Sequence, residues 1–137
     1  MSRASSCRTG NNGPAARADA PVQVRLFPHE REHLRSGMHT FLESVQAIVD
    51  ALPENKIALV AASAKKSGMG AVHDVPISIA TKLPAEFVLL SMDAHQKSDA
   101  LSRESSETGR KGMALNHLRE ILANCIAYHA TCRISPE

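Results

Sequence analysis

Residues 29–52 read HEREHLRSGMHTFLESVQAIVDAL and carry the clearest helical pattern of the chain. Their large apolar side chains recur in steps of three and four residues, at Leu34, Met38, Phe41, Val45, Ile48 and Leu52. Side chains at this spacing share one face of an α-helix, so the pattern predicts an amphipathic helix that faces a core. Pro53 ends the pattern, because the residue before a proline avoids helical backbone. The sequence therefore predicts a first helix over residues 29–51.

Three further segments repeat apolar residues at the same spacing, and we expect helices at about 54–67, 84–102 and 113–135. Glycine and proline residues mark the ends of these segments. Residues 68–82 contain two glycines and a proline without a helical period, so they predict a long ordered loop. Four amphipathic helices predict an all-α fold, an antiparallel four-helix bundle.

Composition narrows the class of protein. A chain of 137 residues forms one domain, and three Phe, one Tyr and no Trp leave an aliphatic core, which favours helices. The 16 basic and 14 acidic residues are spread along the chain without a basic cluster, so nucleic acid is not expected as a partner. No apolar run approaches the roughly 18 residues of a membrane span.

The N-terminal residues 1–26 are rich in Ser, Arg, Ala, Gly, Asn and Pro and predict a disordered tail, in which Cys7 is a solvated thiol. They contain no apolar run like that of a secretory signal, so no signal peptide is visible. The domain itself is expected over residues 27–134.

The chemistry is expected near the C-terminus, in NCIAYHATCRI, residues 124–134. Cys125 and His129 are separated by four residues and therefore lie on the same helix face, which the apolar pattern turns inward. An imidazole there can bind the iron of a planar cofactor slotted between helices, although a histidine at a helix end is also typical of a half-buried core residue or a cap. The other histidines, His95 among them, are read as surface or capping residues.

The stretch from Phe27 to Ile134 resembles the cytochrome c-prime family and its low-spin, methionine-ligated relatives. The matching segments are FPHEREHLRSGMHTFLESVQAIVDAL, SGMGAVHDVP, KLPAEFVLLSMDAHQKSDAL and LREILANCIAYHATCRI. Members of this family are periplasmic four-helix-bundle haem proteins whose attachment motif, Cys-x-x-Cys-His-x-x-Tyr-Arg, lies near the C-terminus. The resemblance therefore implies haem c as the cofactor and a periplasmic location.

The resemblance assigns a role to four residues. Cys125 is the thioether cysteine, His129 the proximal iron ligand, and Arg133 the basic residue after it. Met38 matches the methionine that the low-spin relatives use as sixth iron ligand, although a methionine on a core stripe is usually just packing. A thioether in that position raises the reduction potential and suits electron transfer, so the resemblance implies an electron carrier that is not an enzyme.

Two positions depart from the family motif. Tyr128 stands where the second cysteine belongs, and Cys132 stands where the family has its tyrosine. A phenol cannot add to a haem vinyl group, so a single thioether is expected, through Cys125. Cys125 and Cys132 lie about 10 Å apart along a helix, beyond the roughly 7 Å limit of a disulfide, so a free thiol is expected at Cys132.

Two functional interpretations remain open. In the first, the chain is an electron-transfer haem protein in which residues 68–82 cover the haem edge. It has a redox partner protein that is not identified, and it can form a homodimer, as many members of the family do. In the second, the chain is a haem-free binding or interaction module that kept the bundle and lost the cofactor. The missing second thiol and the absent export signal favour the second interpretation.

Overall fold

The structure, a computed structural model, describes residues 20–136. These residues are mostly helical, which confirms the predicted helical character, and they add two short strands that were not predicted. In chain order the elements are β1 (Val22–Leu26), α1 (Pro28–Ala51), α2 (Ile57–Lys66), a 3-10 turn (Met69–Val72), α3 (Ile77–Ala80), α4 (Ala85–Thr108), α5 (Lys111–Thr131) and β2 (Cys132–Pro136).

The longer helices pack in a chain of pairs, α1 on α2, α2 on α4, and α4 on α5. Each pair buries apolar side chains of both helices, because apolar surface removed from water stabilises the fold by about 25 cal/mol per Å². The main core lies where these helices meet and includes Ile48, Leu52, Val60, Leu101, Leu118 and Ile121.

Helix α1 has its predicted extent within one residue. The predicted stripe is half-buried over its first part and fully buried at Ile48 and Leu52. Glu30 caps the start of the helix, since its Oε2 accepts the Phe27 backbone N–H at 2.9 Å. The same oxygen lies 2.7 Å from Lys82 Nζ, so the start of α1 is tied to the segment that leads into α4.

The two strands pair in parallel, with Val22 opposite Cys132 and Leu26 opposite Pro136. Val24 and Leu26 are buried against Phe87 and Tyr128. The predicted tail is therefore wrong for residues 22–26, because VQVRL alternates apolar and polar side chains as a half-buried strand does. Residues 1–19, where the rest of the predicted tail lies, fall outside the described residues.

Helix α4 continues to Thr108, beyond its predicted end near residue 102. Ser105, beyond the predicted end, continues the buried face formed by Ser98 and Leu101. The helix ends at Gly109, whose φ of 62° is left-handed and costs glycine little.

Helix α5 is rotated by about one residue from its predicted orientation. The buried positions are Ala114, Leu118, Ile121, Asn124 and Tyr128, whereas the apolar residues on its exposed side are Leu115, Leu122 and Ile126. Asn124 accounts for this rotation, since its amide donates to Asp93 Oδ2 at 2.7 Å and to the Leu90 carbonyl at 3.3 Å. A buried polar side chain needs such partners, so α5 turns Asn124 toward α4.

Candidate functional site

A cavity of about 780 Å³ lies between α1 and α5. Its walls include Phe41, Leu42 and Val45 from α1 and Leu122 and Ile126 from α5. This volume falls in the range of roughly 300–1,000 Å³ that is usual for small-molecule sites. Leu42 and Ile126 are 64% and 70% exposed, so the cavity presents apolar surface that no side chain of the described residues covers. We call this the α1–α5 cavity.

Three of the four predicted site residues line the α1–α5 cavity. Met38 comes from α1, and Cys125 and His129 come from α5. Met38 and Cys125 are half-buried, whereas His129 is exposed in the last turn of its helix. Arg133 does not belong to this group, because it lies in β2, opposite Gln23, and is exposed.

Tyr128 separates this cavity from the core. Its side chain is buried, with its ring centroid 5.3 Å from that of Phe87 and 5.1 Å from that of His129. The phenol O–H donates to Cys125 Sγ at 3.3 Å. Burial raises the pKa of Tyr128, and the Cys125 thiol beside it adds to the effect, so the phenol stays protonated at neutral pH.

The two C-terminal cysteines differ in state. Cys125 is a free thiol. Cys132 is disulfide-bonded, so the prediction of a free thiol there is wrong. That prediction assumed a helix through residue 132, but the chain leaves the helix at this residue, with φ −130° and ψ 144°, and enters β2.

A polar cluster between α4 and α5 sets the orientation of Cys125. Asp93 accepts from Asn124 and lies 2.6 Å from Lys97 Nζ. The Asn124 hydrogen bond, followed by that of Lys97, holds the pKa of Asp93 below its usual range. The Asp93 carboxylate therefore stays ionised at neutral pH and holds Asn124 in place. This fixes the rotation of α5 and places Cys125, the residue after Asn124, on the cavity wall.

A second cavity of about 740 Å³ lies on the other side of α1. It is bounded by α1, the end of α2, the segment 67–75, α3 and α4, and it shares Met38, Phe41 and Tyr128 with the first cavity. We call it the α1–α4 cavity. Within residues 68–82, the predicted cover of the haem edge, the lining residues face this second cavity rather than the first.

His95 lines the α1–α4 cavity, and no sequence pattern indicates this role. The residue is half-buried, and its Nδ1 lies 2.7 Å from the Ser67 carbonyl at the end of α2. His95 therefore caps a helix, as expected, but the capped helix is α2 and not α4, to which His95 belongs. Only the packing of α4 against α2 brings the two residues together.

The residues of the α1–α5 cavity fit a haem in their chemistry. An imidazole and a thioether are the usual axial ligands of a c-type haem, and His129 and Met38 stand on the two walls. Within residues 20–136 no three or more His, Cys, Asp or Glu side chains are grouped to hold a bare metal ion. Haem iron needs only one or two protein ligands, because the macrocycle supplies the others.

Comparison of the chain with protein-family models, with curated proteins and with solved structures found no match. The resemblance to the cytochrome c-prime family therefore stays a prediction that rests on the quoted segments. Among the described helices, none has the length and apolarity that crossing a membrane requires.

Proposed function

We propose that this chain is a haem-binding electron-transfer protein of the cytochrome c-prime type, in which α1, α2, α4 and α5 form an antiparallel four-helix bundle. The observation that supports the proposal most strongly is that one cavity is lined by Met38 from α1 and by Cys125 and His129 from α5. Met38 lies about 90 positions before Cys125 and His129 in the sequence, and only the fold brings it to the same space.

Each residue has one task in this proposal. His129 is the proximal iron ligand, and no hydrogen bond within residues 20–136 holds its imidazole in another role. Met38 is the sixth ligand, and Cys125 forms one thioether bond. The haem supplies one-electron redox chemistry when it is bound, and the apolar walls keep water from it.

Location and partners follow from the same proposal. Covalent haem attachment in this family takes place in the periplasm, so we propose that location for the protein. We also propose a redox partner protein, and a homodimer as the oligomeric state to be tested. Arg133, exposed in β2, has no contact with the cavity and no assigned part in holding the haem.

Production of the chain with a c-type maturation system tests the proposal. We expect a Soret band, haem that stays on the denatured chain, and the pyridine spectrum of a single thioether. Cys125→Ser is expected to abolish covalent attachment, and His129→Ala to change the spectrum of the bound haem. A colourless product that cannot take up haem contradicts the proposal.

The restored motif gives a sharper version of this test. Tyr128→Cys should give haem with two thioethers, because it returns the second thiol to its place in the motif. Tyr128→Ser is the matched control, since it loses the same ring without adding a thiol. Equal haem content and equal spectra in the two variants would show that the cavity does not accept the cofactor in this orientation.

A second candidate function is a haem-free binding or interaction module, and the burial of Tyr128 favours it. The ring packs on Phe87 and fills the position at which the attachment motif has a cysteine. Leu42, Leu122 and Ile126 then form an exposed apolar strip suited to another protein. This function predicts no haem uptake and a change of association state on Leu42→Glu, measured by analytical ultracentrifugation.

A further inference from the structure

The imidazole of His95 is held in one tautomer. A carbonyl oxygen can only accept a hydrogen bond, so His95 Nδ1, 2.7 Å from the Ser67 oxygen, carries the proton and donates it. Nε2 is then left with its lone pair, and it makes no hydrogen bond within residues 20–136. Histidines that bind metals almost always donate their other N–H in this way, to a carbonyl or a carboxylate.

The carbonyl that holds His95 is itself fixed. Ser67 Oγ donates to Ser44 Oγ of α1 at 2.8 Å, in a buried position. Two residues further along the chain, the Met69 N–H donates to Asp99 Oδ2 of α4 at 2.9 Å. The ring of His95 also packs on that of Phe41, with centroids 5.3 Å apart. The contacts with α1 and the hydrogen bonds at both ends of residues 67–69 therefore set the orientation of the His95 ring.

The α1–α4 cavity around His95 has an apolar body and a positively charged edge. Its apolar walls include Leu34, Val72, Leu83, Phe87, Val88 and Met92. Lys65 and Lys66 line it from the last turn of α2, and both are exposed and form no ion pair within the described part of the chain. Asp74 is the only carboxylate among the described residues that line it.

These features match one class of ligand. An iron porphyrin is a flat apolar body with a metal at its centre and two carboxylates on one edge, and this cavity offers apolar walls, an imidazole lone pair and two ammonium groups. We propose that the α1–α4 cavity binds haem without covalent bonds, with His95 Nε2 as iron ligand and Lys65 and Lys66 paired with the propionates. This site goes beyond the proposed function, because it needs neither Cys125 nor a maturation system.

Titration of haem-free protein with hemin tests this inference. The full chain is produced without a c-type maturation system, and binding is followed by the Soret band. We expect saturation at one equivalent. His95→Gln should weaken binding at least about tenfold, since its amide still donates to Ser67 but offers the iron no imidazole. Lys65→Glu with Lys66→Glu should also weaken binding, by several-fold.

His129→Ala is the matched control, because it removes the candidate imidazole of the α1–α5 cavity; His33, the second imidazole that lines the α1–α4 cavity, is exposed. Unchanged affinity in this variant, with the loss in His95→Gln, supports the second site. Equal affinity of His95→Gln and the unmodified protein overturns it, as does unsaturable uptake by all variants. Loss confined to His129→Ala also overturns it and returns the haem to the α1–α5 cavity. Far-UV circular dichroism of each variant checks that it is folded. In a His95→Ala variant, added imidazole should restore the Soret band of the bound haem.

Discussion

Tyr128 stands where the proposed haem attachment motif requires a second cysteine, and the fold depends on its ring. The ring belongs to the same buried cluster as Val24, Leu26 and Phe87. Its hydroxyl has one partner, the thiol of Cys125, which is a weak acceptor. The ring should therefore contribute much more to stability than the hydroxyl.

Substitution of Tyr128 separates the two contributions. Tyr128→Phe keeps the ring and removes one weak hydrogen bond, so it should change the free energy of unfolding by less than about 1 kcal/mol. Tyr128→Ala leaves a cavity beside Phe87 and should cost about 3–5 kcal/mol. Urea unfolding of the haem-free protein measures both, and equal losses in the two variants would contradict the burial of the ring.

The sequence pattern did not predict which residues of α5 are buried, whereas three of the residues that the family resemblance singled out lie together. Met38, Cys125 and His129 line one cavity, because helical spacing places Cys125 and His129 on one face of α5 and the fold brings Met38 of α1 to them. Leu122 was expected to face the core and is exposed, whereas Asn124 is buried, because hydrogen bonds to α4 decide the rotation of α5. Such partners on another helix leave no trace in local spacing.

Among the elements, the segment between α2 and α4 is held by a close contact at Gly68. A Cβ atom added there would lie 1.8 Å from Asp99 Oδ1, which no side chain can tolerate without movement. Asp99 also accepts the Met69 N–H, so a shift of its carboxylate loses a hydrogen bond as well. The glycine at residue 68 therefore leaves the space that the Asp99 carboxylate occupies.

Gly68→Ala should lower the free energy of unfolding by about 1–3 kcal/mol, the usual cost of overpacking. Gly70→Ala is the matched control, since nothing lies within 4 Å of an added Cβ at that position. Thermal or urea unfolding measures both changes. In Asp99→Ala the further cost of Gly68→Ala should largely disappear, and a persistent cost there would point to a cause other than this contact.

The Glu30–Lys82 pair ties the start of α1 to the segment before α4. The Lys82 hydrogen bond is the main cause that holds the pKa of Glu30 below its ordinary value of 4.5. The ammonium group also lies 3.8 Å from the centre of the Phe27 ring. The folded state therefore binds a proton at Glu30 less readily than the unfolded state does.

This difference in pKa gives the fold a dependence on pH. The stabilisation by Glu30 is fully present above its ordinary pKa and is lost as pH falls through the lowered folded value. Below about pH 4.5 the free energy of unfolding should fall more steeply in the unmodified protein than in Glu30→Gln. Urea unfolding across this pH range measures the two slopes, with Glu32→Gln, an exposed position on the same helix, as control. Parallel slopes for Glu30→Gln and the unmodified protein would show that the pair does not form.

The extent of α1 was predictable, whereas the strands were missed, and the reason is distance along the chain. Helical periodicity and Pro53 are local signals, so residues 28–51 matched expectation. The pairing of β1 with β2 joins opposite ends of the domain, and five residues with alternating polarity are a weak signal when the partner is unknown.

For the molecule as a whole, the strand pair completes the core beneath Tyr128. Leu26 is fully buried, so Leu26→Ala should lower the free energy of unfolding by about 2–5 kcal/mol. The adjacent Arg25→Ala should change it little, because that side chain is exposed. Urea unfolding compares the two variants. Equal stability of the two would mean that residues 22–26 do not belong to the folded domain.

The parallel direction of β1 and β2 also determines how the domain bears force. The chain enters this pair at Val22 and leaves it at Pro136, and these two residues lie at opposite ends of the ladder. A pull applied at Val22 and at Pro136 therefore slides one strand along the other and loads their hydrogen bonds together, in shear. The helices lie between these two points in the chain, so they bear tension only after the strands have parted.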